Sequence, residues 1–494
     1  MPPHSNPAAD REYDVVVIGG GPAGEIAAQY AIAGSDRTAV IVEHELLGGE
    51  CSYWACMPSK ALLRPGSVLG AARAMPGARE AVGESTLDVA AVLQRRDTFT
   101  SHRDDAGQVQ WASGAGIDVV RGSGRLAGER IVEVTGADGT QMLRARHAVV
   151  LATGSTATIP ATPGLRDALP WTSRDATNLQ EVPGRIAIVG GGVVACEAAT
   201  WLLDLGAEVT LLVRGSGLLA SAEPFAGDAV AAALRERGAT VLTNTAVNAV
   251  RRDSPQDKGI GRVHGGAVTV SLDGGAVTTS FDGGEVTVDE LLVAAGRRPA
   301  TGALGLDSVG LSEVRTDDQL TVAGVPGGWL YAVGDVSGRT PLTHMGKYHG
   351  RVCGDVIAAR AESRALDAAR DIAIADRSAV PQVVFTTPEV ASVGRTEKTA
   401  RAEGFDVDTV EIDIAVAGSS LSRDDFTGRA KLVIDRGDDV LLGATFVGTE
   451  VAELVHAATV AVAGAVPLST LWHAVPAYPT VSEVWLRLLE ARRG

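Results

Sequence analysis

Two stretches of the chain share one order of apolar and glycine-rich segments. The first begins at Asp14 with the apolar residues 15–18, continues through a glycine-rich turn and an alanine-rich stretch, and ends with a second apolar run at 39–42, flanked by Thr38 and Glu43. The second stretch repeats this order between 185 and 214. Short apolar runs bounded by glycine predict buried parallel strands, and the longer stretch between them predicts the connecting helix. The pattern therefore predicts two βαβ units.

The pattern changes twice in the second half of the chain. From about 255 to 290, β-forming residues alternate with Gly and Asp, which predicts a small antiparallel meander inserted in the second unit. From about 381 onward, strand-like runs and a helix from about Glu450 to Ala463 predict a separate α+β domain without phosphate-binding character. The predicted fold class is α/β, with two Rossmann-like domains followed by this α+β domain.

The composition is that of a soluble globular protein with several domains, since 45% of the 494 residues are hydrophobic and 21% are charged. The formal net charge of −16 repels nucleic acid and anionic lipid, so neither is an expected partner. No apolar run reaches the roughly 18 residues of a membrane helix. Residues 1–10 are polar and lack the basic and apolar regions of a signal peptide, so we expect a disordered tail and a cytoplasmic protein.

The turns of both predicted βαβ units carry glycines at the spacing of a dinucleotide-binding fingerprint. These are Gly19, Gly21 and Gly24 in the first unit and Gly190 and Gly192 in the second, where Ala195 takes the third place. Glycine has no side chain, so backbone amides can approach a pyrophosphate that sits on the helix N-terminus. Each closing strand ends in a charged residue at the same distance from its first glycine, Glu43 and Arg214 respectively. Two such fingerprints predict two dinucleotide sites.

Two of the four cysteines, Cys51 and Cys56, directly follow the first predicted βαβ unit. On a regular helix, residues five apart point about 140° away from each other and differ by about 7.5 Å along the axis. A disulfide needs Cα atoms roughly 4.4–6.8 Å apart, so a bridge requires a distorted helical turn. Short strained disulfides are readily reduced, which favours redox chemistry. The alternative is two free cysteines packed as small apolar side chains, and this is how we interpret Cys196 and Cys353.

The order of these and further motifs resembles that of the class I pyridine nucleotide–disulfide oxidoreductases, the family of dihydrolipoamide dehydrogenase, glutathione reductase and mercuric reductase. The resemblance extends from about residue 12 to 486. Beyond the two fingerprints, it rests on Gly48–Gly49, Cys51…Cys56-x-Pro-Ser-Lys60, Ala152–Gly154, Glu197, Gly296–Pro299, Tyr331–Asp335, Phe385–Ala391 and Tyr478–Glu483. So many motifs in one order exclude a chance match.

The resemblance implies two nucleotide-binding domains followed by a dimerisation domain. The expected FAD-binding domain with the redox disulfide covers 11–159, the NAD(P)-binding domain 160–295, the return to the FAD-binding domain 296–375, and the dimerisation domain 376–494. The family also implies a homodimer.

The resemblance assigns roles to individual residues. Cys51 would be the thiol that meets the substrate, and Cys56 the thiol next to the flavin. Lys60 would pair with Glu197 beside the flavin. The residues expected at the FAD are Gly19, Gly21, Gly24, Glu43 at the adenosine ribose, Gly49, Lys60, Thr153, Gly154 and Asp335 at the ribityl chain. The other residues expected to bind a cofactor are Gly190, Gly192, Arg214 and Gly296. No metal ligand is implied.

Arg214 bears on the choice between NADPH and NADH. NADH-dependent relatives carry an acidic residue at this place, which would repel the 2′-phosphate of NADPH, whereas a guanidinium attracts it. We therefore expect NADPH as the electron donor. NADH stays open, because residues 215–220 supply no second arginine.

Tyr478, with Glu483, stands where disulfide reductases of the family place a His–Glu pair. Tyrosine has a pKa of about 10 and is a poor base at neutral pH, so we expect electrons to run from NADPH toward the acceptor. His473 is a second candidate for the base. Between the cysteines, Tyr53 and Trp54 either shape the entrance of the site or pack the core.

The acceptor that the resemblance implies is a small molecule with a disulfide, reduced by NADPH through the flavin and the Cys51–Cys56 pair. The alternatives left open are reduction of quinones or of metal ions in the manner of mercuric reductase, dihydrolipoamide oxidation, and transhydrogenation between pyridine nucleotides. A flavin-binding protein without turnover is a further alternative, but the intact pairs Cys51–Cys56 and Lys60–Glu197 argue against it.

Overall fold

A computed structural model describes residues 11–273 and 284–494 of the chain. The expected disordered tail, residues 1–10, and the part of the expected meander between 274 and 283 lie outside the described residues.

The described secondary structure follows the chain in this order. The strands are β1 Arg11–Ile18, β2 Ala39–Glu43, β3 Ile117–Arg121, β4 Ser123–Gly128, β5 Ile131–Gly136, β6 Gly139–Leu151, β7 Ser155–Ala157, β8 Arg185–Val189, β9 Glu208–Leu212, β10 Thr240–Leu242, β11 Ala246–Arg252, β12 Val268–Asp273, β13 Glu285–Val288, β14 Glu290–Val293, β15 Arg297–Pro299, β16 Leu330–Ala332, β17 Pro381–Val384, β18 Glu389–Gly394, β19 Val407–Asp413, β20 Arg429–Asp435 and β21 Val440–Gly448. The helices are α1 Pro22–Ile32, α2 Gly49–Tyr53, α3 Cys56–Arg73, α4 Ala78–Val82, α5 Val89–Phe99, α6 Ala106–Gly114, α7 Ser173–Thr177, α8 Val193–Asp204, α9 Pro224–Glu236, α10 Thr343–Ala361, α11 Glu397–Ala402, α12 Ala417–Ser422, α13 Leu454–Ala463, α14 Leu468–Leu471 and α15 Val484–Arg493.

The chain divides into two compact units, and the first contains Met1–Met57, Asp97–Thr156 and Arg297–Asp376. Its seven-stranded sheet has the order β3-β2-β1-β6-β5-β4, and β16 also pairs with β6. The pairs β1–β2, β2–β3, β1–β6 and β6–β16 are parallel, whereas β4 and β5 extend the sheet in antiparallel pairing. The apolar runs of β1 and β2 are buried, as expected of parallel strands covered on both faces.

Helix α1 packs along α10 in the first unit, and small residues on both helices allow a close approach. An added Cβ on Gly350 of α10 would lie 2.7 Å from the carbonyl oxygen of Ala23. At Gly354, one turn later, an added Cβ would collide with the Cβ of Tyr30 and lie 2.8 Å from the amide nitrogen of Ala31. This helix pair therefore depends on the absence of side chains at two positions of α10.

The second unit contains Pro58–Arg96, Ala157–Gly296 and Arg377–Gly494. It holds a parallel four-stranded sheet of order β10-β9-β8-β14, an antiparallel sheet β11-β12-β13, and an antiparallel five-stranded sheet of order β17-β18-β21-β20-β19. Helix α8 shares a hydrophobic core with strands β8 and β9 of the parallel sheet, and its residues Trp201 and Cys196 are part of that core. Helices α13 and α15 contribute to the core of the five-stranded sheet.

The predicted α/β fold class is confirmed, and both predicted βαβ units are present as β1-α1-β2 and β8-α8-β9. Strands β12 and β13 lie within the predicted meander, and their sheet also contains β11, which precedes the predicted range. The helix expected from Glu450 begins at Leu454, because Glu450 has a φ of 58°, outside the right-handed helical region. The domain limits stay predictions. Among the described helices, none combines the length and the apolar character needed to cross a bilayer.

The close packing of α1 on α10 makes a prediction for two glycines that both lie within helices. Gly354→Ala should lower the free energy of unfolding by about 1–3 kcal/mol, because the new methyl group has no room against Tyr30. Gly70→Ala should keep it or raise it by about 0.5–1 kcal/mol, because Gly70 lies in α3 with no atom within 4 Å of an added Cβ. Urea unfolding of both variants measures the difference, and equal midpoints would contradict the packing argument.

Candidate active site

The turn between β1 and α1 has the geometry of a pyrophosphate cradle. Gly19 has a φ of +105°, and an added Cβ there would collide with the carbonyl group of Ala152. An added Cβ on Gly21 would meet no atom within 4 Å, so the beginning of α1 faces open space. In the part of the chain that the structure describes, no side chain caps this end of α1. An anion can therefore approach the first backbone amides of the helix.

Side chains expected at the FAD follow the carboxyl ends of neighbouring parallel strands in the first unit. Glu43 ends β2, Thr153 and Gly154 follow β6, and Asp335 follows β16. The carboxyl edge of parallel strands is where open α/β sheets bind their ligands. Asp335 Oδ2 accepts a hydrogen bond of 2.5 Å from the hydroxyl of Ser155. The structure thus brings this predicted set to one edge of one sheet.

Glu43 is a buried carboxylate that the backbone holds in place. Its Oε2 accepts from the amide of Gly20 and its Oε1 from the amide of Glu45, each at 2.7 Å. Burial raises the pKa of Glu43, but hydrogen bonds from His44 and from these two amides outweigh burial and lower the pKa. The ionised carboxylate keeps further lone pairs, which fit the hydroxyl groups of a ribose. The glycine turn and Glu43 together therefore fit FAD.

Gly49 begins α2 directly against the first glycine turn. Its φ is +59°, and an added Cβ would lie 2.7 Å from the Cα of Gly21. Gly49 thereby places the helix that carries Cys51 next to the expected pyrophosphate site, all within the first unit.

The helix is interrupted between the two cysteines. Cys51 lies in α2, which ends at Tyr53, and Cys56 is the first residue of α3. Trp54 between them has φ −132° and ψ −3°, which departs from helical geometry. A hydrogen bond joins the side chains of the two cysteines. Tyr53 and Trp54 are buried, so they pack the core rather than shape an entrance.

Two side chains of α10 act on the dithiol. The hydrogen bond with Cys56 and burial raise the pKa of the Cys51 thiol, while the hydroxyl of Thr343 and the charge of Lys347 oppose this rise. Thr343 Oγ1 lies 3.2 Å from the sulfur of Cys56, although the two residues are 287 positions apart. Neither Thr343 nor Lys347 was predicted to lie at this site, because nothing local in the sequence marks so distant a contact.

Lys60 and Glu197 form an ion pair in the second unit. The distance from Lys60 Nζ to Glu197 Oε2 is 2.8 Å, and the side chain of Glu197 is only 5% exposed. Glu197 Oε1 accepts from the amide of Phe385, and the ammonium of Lys60 lies 4.9 Å from the centre of the Phe385 ring. The partners named by the sequence are therefore together. Their proximity to a flavin stays a prediction.

The second glycine turn repeats the geometry of the first. Gly190 has a φ of +136°, and an added Cβ would collide with the carbonyl group of Ala294. Added Cβ atoms on Gly192 and Gly296 would meet no atom within 4 Å. Arg214, two residues beyond β9, is exposed, and among the described residues it has no ion pair. These features leave room for a dinucleotide with an additional phosphate.

The structure does not join Tyr478 to Glu483. Tyr478 precedes a cis proline and is 76% exposed, and within the described chain it makes no hydrogen bond. Glu483 is buried, and its Oε1 accepts from Arg487 at 2.7 Å, one helical turn later. The pairing expected by analogy with a His–Glu pair is therefore replaced by an ion pair within the last helix. His473 is exposed, and its role as a base stays a prediction.

The remaining cysteines have no place in this site. Cys196 and Cys353 are completely buried. Burial raises the pKa of the Cys196 thiol to about 12 and raises that of Cys353 as well. Both therefore pack as apolar side chains, as the sequence indicated.

Glu25, in the first turn of α1, is a second feature that the sequence analysis missed. Its Oε1 is buried and has no hydrogen-bond partner in the described chain. Burial raises the pKa of Glu25 to about 7, Lys347 opposes the rise, and Glu43 adds to it. A glutamate directly after the third glycine of the fingerprint was the available signal, since most of this helix is apolar.

Comparison with known families matches nearly the whole described chain. Residues 13–350 match the family described as pyridine nucleotide-disulphide oxidoreductase. Residues 380–489 match the family described as pyridine nucleotide-disulphide oxidoreductase, dimerisation domain.

The chain is also similar in sequence to curated proteins and similar in fold to a solved structure. The chain is 33% identical to a mercuric reductase of Streptomyces lividans, over 93% of each chain. It is 32% identical to dihydrolipoyl dehydrogenase 2 of Haloarcula marismortui, over 97% of each chain. Its fold is similar to that of the HOCl-induced flavoprotein disulfide reductase RclA from Escherichia coli, with a TM-score of 0.78, 24% identity, and coverage of 97% of this chain and 99% of that one.

The raised pKa of Glu25 predicts a pH dependence of stability. Between its pKa of 4.5 in the unfolded chain and about 7 in the fold, only the folded protein holds this proton, so stability falls as pH rises through this window. Glu25→Gln should remove this loss and be more stable than wild type at pH 8, by at most about 3 kcal/mol, but not at pH 4.5. Urea unfolding at several pH values, with the exposed Glu84→Gln as control, tests it. Parallel pH profiles of wild type and Glu25→Gln would contradict it.

Proposed function

Because this chain belongs to the pyridine nucleotide-disulphide oxidoreductase family, we propose that it reduces a small disulfide with electrons from NADPH, through FAD and the Cys51–Cys56 pair. The family uses FAD and NAD(P)H, and the chain is an oxidoreductase of this kind. Bound FAD supplies the two-electron relay between the nicotinamide and the dithiol. The roles of individual residues below are part of the proposal.

The observation that carries the proposal is the dithiol itself. Two thiols joined by a hydrogen bond, across a break in the helix, can form a disulfide without a large movement of the backbone. The hydroxyl of Thr343 and the charge of Lys347 oppose the rise in the pKa of Cys51 that burial and the second thiol cause, so they act in favour of the nucleophilic thiolate. Gly49 places this pair beside the glycine turn proposed to hold the FAD.

The proposed reaction is NADPH + H⁺ + RSSR → NADP⁺ + 2 RSH. The Cys51 thiolate attacks one sulfur of the acceptor, its disulfide bond breaks, and the first RS⁻ leaves and takes a proton. The Cys56 thiolate then attacks the sulfur of Cys51 and releases the second RS⁻. This leaves a Cys51–Cys56 disulfide, which two electrons from NADPH return to the dithiol.

Tyr478 supports the proposed direction. A phenol with a pKa of about 10 holds its proton at neutral pH and can donate it to a departing thiolate. Its exposed side chain leaves it free to meet a substrate or a second subunit. The match of residues 380–489 to a dimerisation domain supports a homodimer. We propose that the protein works in the cytoplasm, where reducing conditions suit a dithiol that must be regenerated in each turnover.

Reduction of mercuric ion is a second candidate. The similarity to a mercuric reductase and the soft thiolate ligands of Cys51 and Cys56 favour it. Among the described residues, no cluster of three or more His, Cys, Asp or Glu could hold a metal ion, so a metal substrate would depend on the dithiol. An acceptor panel with small disulfides, quinones, and mercuric and cupric ions distinguishes the candidates.

The dithiol proposal predicts that the acceptors respond differently to one substitution. Cys51→Ser should lower NADPH-dependent disulfide reduction by roughly a hundredfold or more, because the attacking thiolate is lost. Quinone reduction, which needs no thiol, should stay within a few-fold. The buried Cys353→Ala is the control and should preserve both rates. A Cys51→Ser enzyme that still reduces disulfides would overturn the proposal.

Absorbance separates the two thiols in the same set of variants. If Cys56 faces the flavin, wild type should give the long-wavelength band of a thiolate next to oxidised flavin once NADPH has reduced the disulfide. Cys51→Ser should show this band already before reduction, because its Cys56 cannot form the disulfide. Cys56→Ser should lack the band. Identical spectra for the two variants would contradict the assigned roles.

The proposed use of NADPH predicts the effect of reversing the charge at position 214. Arg214→Glu should lower the preference for NADPH over NADH by about ten- to a hundredfold, because one charge-assisted phosphate contact contributes roughly 1.5–3 kcal/mol. Initial rates over a range of both nucleotides give the ratio of kcat/KM. An unchanged ratio would show that Arg214 does not bind the 2′-phosphate.

A further inference from the structure

The segment between β9 and α9, residues 213–223, is held at several points within the second unit; we call it the nucleotide loop. The amide of Asn244 donates to the carbonyl of Gly215 at 2.8 Å. The amide of Leu219 donates to the carbonyl of Gly191, in the second glycine turn, at 2.7 Å. Through the hydrogen bond of Leu219, the loop that carries Arg214 is attached to the turn proposed to hold the dinucleotide.

A buried ion cluster fixes the far end of the nucleotide loop. Lys431 Nζ lies 2.9 Å from Glu223 Oε2 and 2.8 Å from Glu397 Oε2, and the side chains of Lys431 and Glu223 are only 8% and 3% exposed. Glu223 Oε1 also accepts from the amide of Glu397 at 2.6 Å. Burial lowers the pKa of Lys431, but hydrogen bonds to Glu397 and Glu223 outweigh it and raise the pKa. Hydrogen bonds from Lys431 and Arg401 lower the pKa of Glu397, so Lys431 and Glu397 are both charged at neutral pH.

Lys431 comes from β20 of the five-stranded sheet, and Glu223 is the residue before α9. The neighbouring Arg429 also reaches α9, with its guanidinium 5.5 Å from the centre of the Phe225 ring. A strand of the segment that matches a dimerisation domain thus contacts the nucleotide loop. A buried ion pair adds little net stability compared with an apolar pair of similar size. What the cluster does define is the position of Glu223.

We propose that Lys431 is a positioning residue for NADPH: by holding Glu223, it sets the nucleotide loop so that Arg214 meets the 2′-phosphate. This inference rests on the proposed use of NADPH. Without Lys431, the buried carboxylate of Glu223 would lose its cation while it faces Glu397, which keeps its ion pair with Arg401. The uncompensated charge of Glu223 would displace the end of the loop. The dithiol has no part in this arrangement, so its chemistry should be unaffected.

Binding of two adenine nucleotides to the holoenzyme tests the proposal without turnover. Lys431→Met should weaken binding of 2′,5′-ADP by roughly three- to tenfold, because the loop loses part of one charge-assisted contact. Binding of 5′-AMP, which lacks the 2′-phosphate, should change less than twofold. In kinetics, KM for NADPH should rise while kcat stays constant, and amide hydrogen exchange at 213–223 should accelerate.

Three further variants separate positioning from general destabilisation. Lys431→Arg keeps the positive charge and should retain most of the affinity for 2′,5′-ADP. The double variant Glu223→Gln, Lys431→Met leaves no unpaired carboxylate at position 223, and it should still bind 2′,5′-ADP more weakly than wild type. Arg185→Met breaks the exposed ion pair with Asp289 at the start of β8 and should preserve 2′,5′-ADP binding.

The decisive comparison is made in an Arg214→Met background. There, Lys431→Met should have no further effect on 2′,5′-ADP binding, because the contact it positions is already absent. An equal loss in both backgrounds, or no loss with Arg214 present, would overturn the positioning role. Failure of the proposed NADPH use is distinguishable, because Arg214→Met alone would then leave 2′,5′-ADP binding unchanged.

Discussion

The helical geometry between Cys51 and Cys56 is the constraint on which the rest of the dithiol site depends. A continuous helix would hold the two sulfur atoms apart, and the chain leaves helical geometry at Trp54 to bring them together. The buried rings of Tyr53 and Trp54 stabilise this break through an edge-on contact with centroids 5.6 Å apart. The hydroxyl of Tyr53 donates to the carbonyl of Leu47, which ties the break to the segment leading out of β2.

The groups around the dithiol have opposing effects on the pKa of Cys51. Burial and the second thiol disfavour a thiolate at Cys51, while Lys347 and the hydroxyl of Thr343 favour it. Lys347 also opposes the raised pKa of Glu25, so this one cation acts on both the dithiol and the start of α1. The packing of α1 against α10, which Gly354 permits, keeps these groups within range of each other. Helix packing and thiol chemistry in the first unit are therefore coupled.

The second unit uses buried charges differently. Glu197 keeps Lys60 in place and also accepts from the backbone of Phe385. Lys431 joins the end of the nucleotide loop to β20 through Glu223. In both pairs a buried carboxylate connects segments that lie far apart in the sequence, and an unpaired partner would leave a costly buried charge. Such pairs define position more than they add stability, which agrees with the proposed roles of Lys60 beside the flavin and of Lys431 in positioning the nucleotide loop.

The sequence alone determined the α/β fold and the two βαβ units, because glycine spacing and apolar runs are local properties that a chain displays directly. The pairing of Lys60 with Glu197 was implied by the family resemblance, and the structure shows the two side chains together. The resemblance also implied that Glu43, Thr153 and Asp335 belong to one site, and in the structure each lies at the carboxyl end of a strand of one sheet. Only the tertiary structure decided that Thr343 meets Cys56, that Glu483 pairs with Arg487 rather than Tyr478, and that Lys431 holds Glu223. These contacts form because packing brings the side chains together and because a buried charge needs a partner. No local pattern in the sequence encodes which side chains will meet.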